Sequence, residues 1–117
     1  MSQKNRGVVV VYFSQPKLLD ERVINETAKE LTAMADKAEH GMLLLNFQSV
    51  RFMSSAMLGR LVSLLKYCKT NKISLKLSNV HKEIGEIFKI TKMDKLLNLY
   101  KDESGAMTAF EKEGWLT

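Results

Sequence analysis

The run Met42-Leu43-Leu44-Leu45-Asn46-Phe47 is apolar at every position but one, and after a polar loop from Gln48 to Ser54 the pattern changes period. A short, nearly unbroken apolar run suits a strand covered on both faces, as in a parallel sheet. From Ser55 to Thr70, Leu58, Leu61, Val62 and Leu65, with Met57, Leu64 and Cys68 on the neighbouring row, recur at helical spacing. That is one apolar helix face. Ser54 and Ser55 stand where a helix cap is expected. Strand, loop and helix therefore form one β-α unit.

The same unit is legible on both sides. Upstream, Val8-Val9-Val10-Val11-Tyr12-Phe13 is a second doubly covered strand, ended by Pro16. Asp20 can cap a helix whose apolar positions Ile24, Ala28, Leu31, Ala35 and Ala38 carry it to about Ala38, with Gly41 as a stop. Downstream, Ile73 to Leu77 alternates apolar with polar, which predicts a strand with a wetter face, nearer an edge. Asn79 is the expected cap of a helix burying Val80, Ile84, Ile87 and Phe88 and ending near Ile90. Leu96 to Tyr100 predicts a fourth strand, and Glu103 to Glu113 a terminal helix facing inward with Ala106, Met107 and Phe110.

Strict alternation with short connections implies an α/β fold, a small, mainly parallel sheet of four to five strands covered by about four helices. In such sheets functional loops lie at the carboxyl ends of strands, which directs attention to Gln48 to Gly59. A length of 117 residues fits one domain spanning 1–117, with polar residues 1–6 expected as a flexible N-terminal segment.

Composition narrows the function classes. One cysteine, Cys68, allows no internal disulfide, and two separated histidines, His40 and His81, offer no zinc cage. No cofactor is expected, and the chain reads as a resident of a reducing compartment, the cytoplasm. The apolar run at Val8 to Phe13 is too short for a signal peptide, and nothing approaches the roughly 20 apolar residues of a membrane span. No glycine-rich phosphate loop accompanies a Lys-Ser or Lys-Thr pair, and Cys68 falls on an apolar helix row without a nearby base. The expectation is a protein that is not an enzyme. Nine Lys or Arg against three acidic residues between Arg60 and Lys95 make a basic stretch. It lacks the interleaved aromatics that stack bases, so a solvated surface is expected rather than nucleic-acid binding.

The segment from Leu45 to Gly59, in the order Leu-Asn-Phe-Gln-Ser-Val-Arg-Phe-Met-Ser-Ser-Ala-Met-Leu-Gly, resembles the signature of the STAS family. That signature is a strand ending in an apolar-Asp-Phe-type run, a Val, an aromatic, and then Asp-Ser-Ser/Thr-Gly-Leu opening a helix. Ser55, Leu58 and Gly59 match, whereas Asn46 and Ser54 replace family Asp residues and Met57 replaces Gly. Leu77-Ser78-Asn79-Val80 resembles the family's next strand-to-helix junction. Phe88 to Leu96 resembles its Thr-Gly-Leu-Asp-x-Leu segment, with Lys92 for the Gly.

The resemblance to bacterial anti-sigma factor antagonists within that family implies a partner and a switch. The partner is an anti-sigma factor that is also a serine kinase. The switch is phosphorylation of Ser55, with Ser54 as second choice, reset by a serine phosphatase. Arg51, Phe52, Met53, Ser54, Ala56, Met57, Leu58 and Arg60 are the expected partner contacts. The competing expectation inside the family is a STAS subunit of another assembly, a lipid transporter or signalling complex, working by protein contact without phosphorylation.

Overall fold

The computed structural model describes residues 2–113; Met1, part of the expected flexible segment, and residues 114–117 lie outside the described residues. The elements in chain order are β1 (Ser2–Asn5), β2 (Val8–Tyr12), β3 (Lys17–Leu18), α1 (Glu21–Asp36), β4 (Met42–Asn46), β5 (Phe52–Met53), α2 (Ser55–Thr70), β6 (Ser74–Ser78), α3 (Lys82–Ile90), β7 (Asn98–Tyr100) and α4 (Glu103–Lys112). A 3-10 turn at Met93–Lys95 precedes β7. Five strands form one sheet in the order β1-β2-β4-β6-β7, parallel throughout except for the antiparallel β1-β2 pair. This is the expected α/β architecture.

The two unbroken apolar runs form adjacent central strands. Val9 pairs with Leu43 and Val11 with Leu45, and β4 is buried along its whole length. On one face, alternate residues Val9, Val11, Leu43 and Leu45 join Ile24 and Leu31 of α1, Leu61 and Leu64 of α2, and Ile84 and Phe88 of α3 in the larger core. On the other face Val8, Val10, Met42 and Leu44 pack against Ala106, Met107 and Phe110 of α4. A strand covered on both sides has no polar face to show, which is why these runs do not alternate.

Three expectations are corrected. Residues 2–5 are not a free tail, because Ser2 to Asn5 pair with Val11 to Val8 across a two-residue turn at Arg6 and Gly7. Both turn residues have positive φ, 55° and 85°, the backbone that a tight hairpin requires. A polar strand is common at a sheet edge, where it discourages further pairing, and it leaves no apolar period to detect.

Strand β6 lies one strand in from the β7 edge, but the wetter face expected of it is buried at Lys76 and Ser78. Its Lys76 is 1% exposed. The ammonium lies 4.8 Å from the Phe110 ring centre and 5.4 Å from that of Tyr100, and 2.6 Å from a Glu113 oxygen just beyond α4. A lysine on a strand can thus be an inward residue when its head is met by a carboxylate and aromatic faces.

Asn79 does not cap α3. It sits in the left-handed region at φ 59°, a conformation Asn tolerates better than most residues, and α3 starts at Lys82 with His81 at the cap position.

Removing one partner of a buried charge pair costs more than replacing the charge by an apolar group of similar shape. Glu113→Ala should therefore lower stability by about 2 kcal/mol, whereas Lys76→Met should change it by less than about 1 kcal/mol. Urea unfolding midpoints of the two variants check this.

Candidate functional site

At the carboxyl edge of the sheet, β4 ends in Asn46 and the chain turns through Gln48 to Ser54 before entering α2. The turn is held from its base. The Asn46 side-chain oxygen accepts from the Gln48 N–H at 2.9 Å, and the Val50 N–H reaches back to the Phe47 carbonyl at 2.9 Å. Phe47 is fully buried, with its ring centre 4.8 Å from that of Phe13 and 6.3 Å from that of Phe88. The loop therefore starts from a fixed point.

Asn46 also explains one departure from the family pattern. Its amide nitrogen donates to Glu103 at 3.2 Å, and the Tyr12 hydroxyl donates to the same oxygen at 2.6 Å. Burial first, then the bond to Glu103, push the Tyr12 phenol up to about 12. A carboxylate at position 46 would face Glu103 as a like charge and lose the donor. The amide serves both the loop and α4.

The far side of the loop is tied to the segment before α1. The Pro16 carbonyl accepts from the N–H groups of Arg51 at 2.8 Å and Phe52 at 3.0 Å, and the Leu18 carbonyl accepts from Ser54 N–H at 3.1 Å. These bonds make a two-strand parallel pair, with Lys17 opposite Phe52 and Leu18 opposite Met53. The Lys17 ammonium stands 5.8 Å from the Phe52 ring centre.

The two serines then divide their roles. Ser54 is extended, at φ −88° and ψ 166°, and its hydroxyl accepts from Met57 N–H at 3.3 Å, so it is the N-cap of α2. Ser55 is the first helical residue and is exposed. Among the described residues its hydroxyl has no hydrogen-bond partner. The first intrahelical bond runs from Leu58 N–H to the Ser54 carbonyl, so the amides of Ser55 and Ala56 precede it and point out of the helix end. Together with the helix dipole they favour an anionic group at this spot.

Of the eight expected partner contacts, three side chains face inward. Met53, Met57 and Leu58 are 7%, 0% and 9% exposed and belong to the core under α2, because the helix needs its apolar row to cover the sheet. They present no surface to a partner. Arg51, Phe52, Ala56 and Arg60 are exposed and Ser54 is half-buried. The Arg60 guanidinium donates to the Asn25 side chain on α1 and so is aimed across the α1-α2 groove. Leu19, half exposed in the turn before α1, is an apolar residue of this edge that the sequence pattern did not single out. Its only signal was an apolar pair, Leu18-Leu19, between a proline and a cap.

Beside the loop a cleft of about 240 Å³ opens between Phe13, Ser14, Leu18 and the α1 residues Glu30 and Met34. No cluster of His, Cys, Asp and Glu fit for a metal occurs among the described residues. Cys68 is buried in α2, and desolvation raises its thiol to about 11, the opposite of an activated nucleophile.

The STAS domain family model matches residues 1–106, a span that contains the whole sheet and the β4-loop-α2 unit. The chain belongs to the STAS family. Solved structures share its fold. An anti-sigma-factor antagonist STAS domain protein from Planctomyces limnophilus superposes with a TM-score of 0.82 at 21% identity, covering 93% of this chain and 94% of that one. The Bacillus cell fate determinant SpoIIAA in its phosphorylated form gives 0.68 at 14% identity over 93% and 97%. A sulfate transporter family protein from Wolinella succinogenes gives 0.73 at 15% identity over 90% and 85%. The fold is thus shared by an anti-sigma-factor antagonist domain protein and by a sulfate transporter family protein.

The division of labour between the serines has a stability consequence. Ser54→Ala should cost about 1 kcal/mol by removing the cap. Ser55→Ala should stay within about 0.5 kcal/mol, as surface substitutions do. Chemical denaturation of both variants separates the two roles.

Proposed function

We propose that this STAS domain is an anti-sigma factor antagonist-like regulator that binds an anti-sigma factor with serine kinase activity and is switched by phosphorylation of Ser55. The observation that carries the reading is the position of Ser55: first residue of α2, exposed, and relieved of capping by Ser54. A kinase can reach that hydroxyl without unfolding the helix, and the phosphate would sit against the Ser55 and Ala56 amides.

The docking surface in this reading is the carboxyl edge: Arg51, Phe52, Ser54, Ala56 and Arg60, extended by Leu19. Phe52 and Leu19, about half exposed, supply apolar contact, and the arginines supply charge. Phosphate adds a charge of about −1.5 to −2 at the centre of that surface, which an approaching partner must pair or expel. Release follows without a large motion, and a serine phosphatase resets the state. The regulator itself does no chemistry. Its setting is the cytoplasm, where kinase and sigma factor meet.

A second reading is a STAS subunit of a transporter or other assembly, acting by contact alone. It is favoured by Ser54, because a neutral cap leaves the loop without the family's acidic residue beside the acceptor. Incubation with a serine-kinase anti-sigma factor and ATP, followed by peptide mass spectrometry, should place phosphate on Ser55. Capture of that kinase should persist for wild type and Ser55→Ala and be lost for Ser55→Asp. An unmodified loop together with equal capture of all three would contradict the switch and favour the second reading.

A further inference from the structure

The opposite end of the sheet carries a different surface. Each helix α1 to α3 starts at the carboxyl edge and runs back against the strands, so its C-terminus reaches the amino edge. There the three helix ends and the turns after them bear Lys37, Lys69, Lys72, Lys89, Lys92 and Lys95, all exposed. Asp36, Glu39 and Asp94 are the acidic residues of the same turns, and Asp36 already accepts the Tyr67 hydroxyl.

Within this basic edge two aliphatic side chains stand out of the fold. Ile90, the last residue of α3, is 81% exposed, and Leu96, after the 3-10 turn, is 52% exposed. The neighbouring Phe88, Met93 and Leu97 are buried, so the exposure is confined to these two residues and is not a loose segment. Lys92 between them takes a left-handed backbone, φ 61°, where the chain passes from α3 into the 3-10 turn.

We infer that the Lys89 to Leu96 turn is a peripheral docking site for an anionic phospholipid surface, with Ile90 and Leu96 entering the headgroup boundary and Lys89, Lys92 and Lys95 meeting lipid phosphates. The composition selects this occupant. Protein interfaces favour aromatic residues and Arg at their centre and are depleted in Lys. Strand-tracking nucleic-acid sites add aromatic or Arg stacking. This turn offers neither. It exposes Lys89, Lys92 and Lys95 beside protruding Ile90 and Leu96, with Thr91 and a single, partly buried acid, Asp94. Lysines beside protruding aliphatics are the combination that binds bilayer interfaces. The docking is peripheral, as no helix among the described residues is long and apolar enough to cross a membrane. The site lies at the edge opposite Ser55, so the domain can rest on a membrane with its switch surface free. This inference stands independently of the kinase reading.

Co-sedimentation tests it, using vesicles of phosphatidylcholine alone and of phosphatidylcholine with an equal part of phosphatidylglycerol. The protein should pellet only with the anionic vesicles, and less as salt rises. Ile90→Ser and Leu96→Ser should each weaken retention by about tenfold, and each of Lys89→Gln, Lys92→Gln and Lys95→Gln by about fivefold. All five positions are exposed, so the variants should keep wild-type circular dichroism, and Ser55→Asp should bind vesicles like wild type. No retention on anionic vesicles, or retention indifferent to Ile90→Ser and Leu96→Ser, would overturn the inference. Preferential binding to duplex DNA or to polyglutamate would overturn it in favour of a nucleic acid or an acidic protein.

Discussion

Two backbone carbonyls, those of Pro16 and Leu18, hold the carboxyl edge together by accepting the N–H groups of Arg51, Phe52 and Ser54. Without them the loop after β4 would be an exposed turn with unpaired amides, and the start of α2 would be set by the helix alone. With them, the chain enters α2 at a fixed angle. Ser54 is extended and caps, and Ser55 falls on the first helical position with its hydroxyl outward. Buried neighbours enforce the same geometry, since Leu18 and Met53 are paired in the small sheet and both belong to the main core. The proposed switch, a charge gained at one exposed atom, depends on such a rigid mounting.

The molecule divides its surfaces by sheet direction. The carboxyl edge carries the serine, Phe52 and Leu19, while the amino edge gathers lysines from three helix ends. Lysine near a helix C-terminus is favoured by the dipole in any fold, so the charges alone have a local reason. The exposed Ile90 and Leu96 do not, because burying them would be favourable and nothing in the fold covers them. On the remaining face α4 is fastened by a glutamate at each end, Glu103 to Tyr12 and Asn46, and Glu113 to Lys76. Through Asn46 the first of these fastenings reaches the loop between β4 and α2.

Sequence reading recovered what hydrophobic period encodes. The bounds of α2, the Asp20 cap and the central strands follow from runs and spacings that packing cannot easily override. The small β3-β5 pair was invisible, because two residues carry no period and their pairing is decided by tertiary approach. Polar β1 hid for a similar reason. Lys76 falls on a polar position of the Ile73 to Leu77 alternation, and its burial depends on Glu113, Tyr100 and Phe110, which are distant in sequence. At the site, either serine suits a cap by residue type; the family resemblance ranks Ser55 ahead of Ser54 as the acceptor, and the backbone angles make Ser54 the cap. Met57 and Leu58 fall both on the apolar row of α2 and inside the loop motif that the family resemblance marks as a contact surface; the core takes both, and Met53 with them.

Native-state hydrogen exchange, resolved by residue, tests the mounting of the loop most directly. The account predicts that the amides of Arg51, Phe52 and Ser54 exchange slowly, while those of Ser55 and Ala56 at the helix entrance exchange fast. Uniformly fast exchange from Arg51 through Ala56 would mean that the clamp is not held in solution, and the account of a rigidly presented Ser55 would fail.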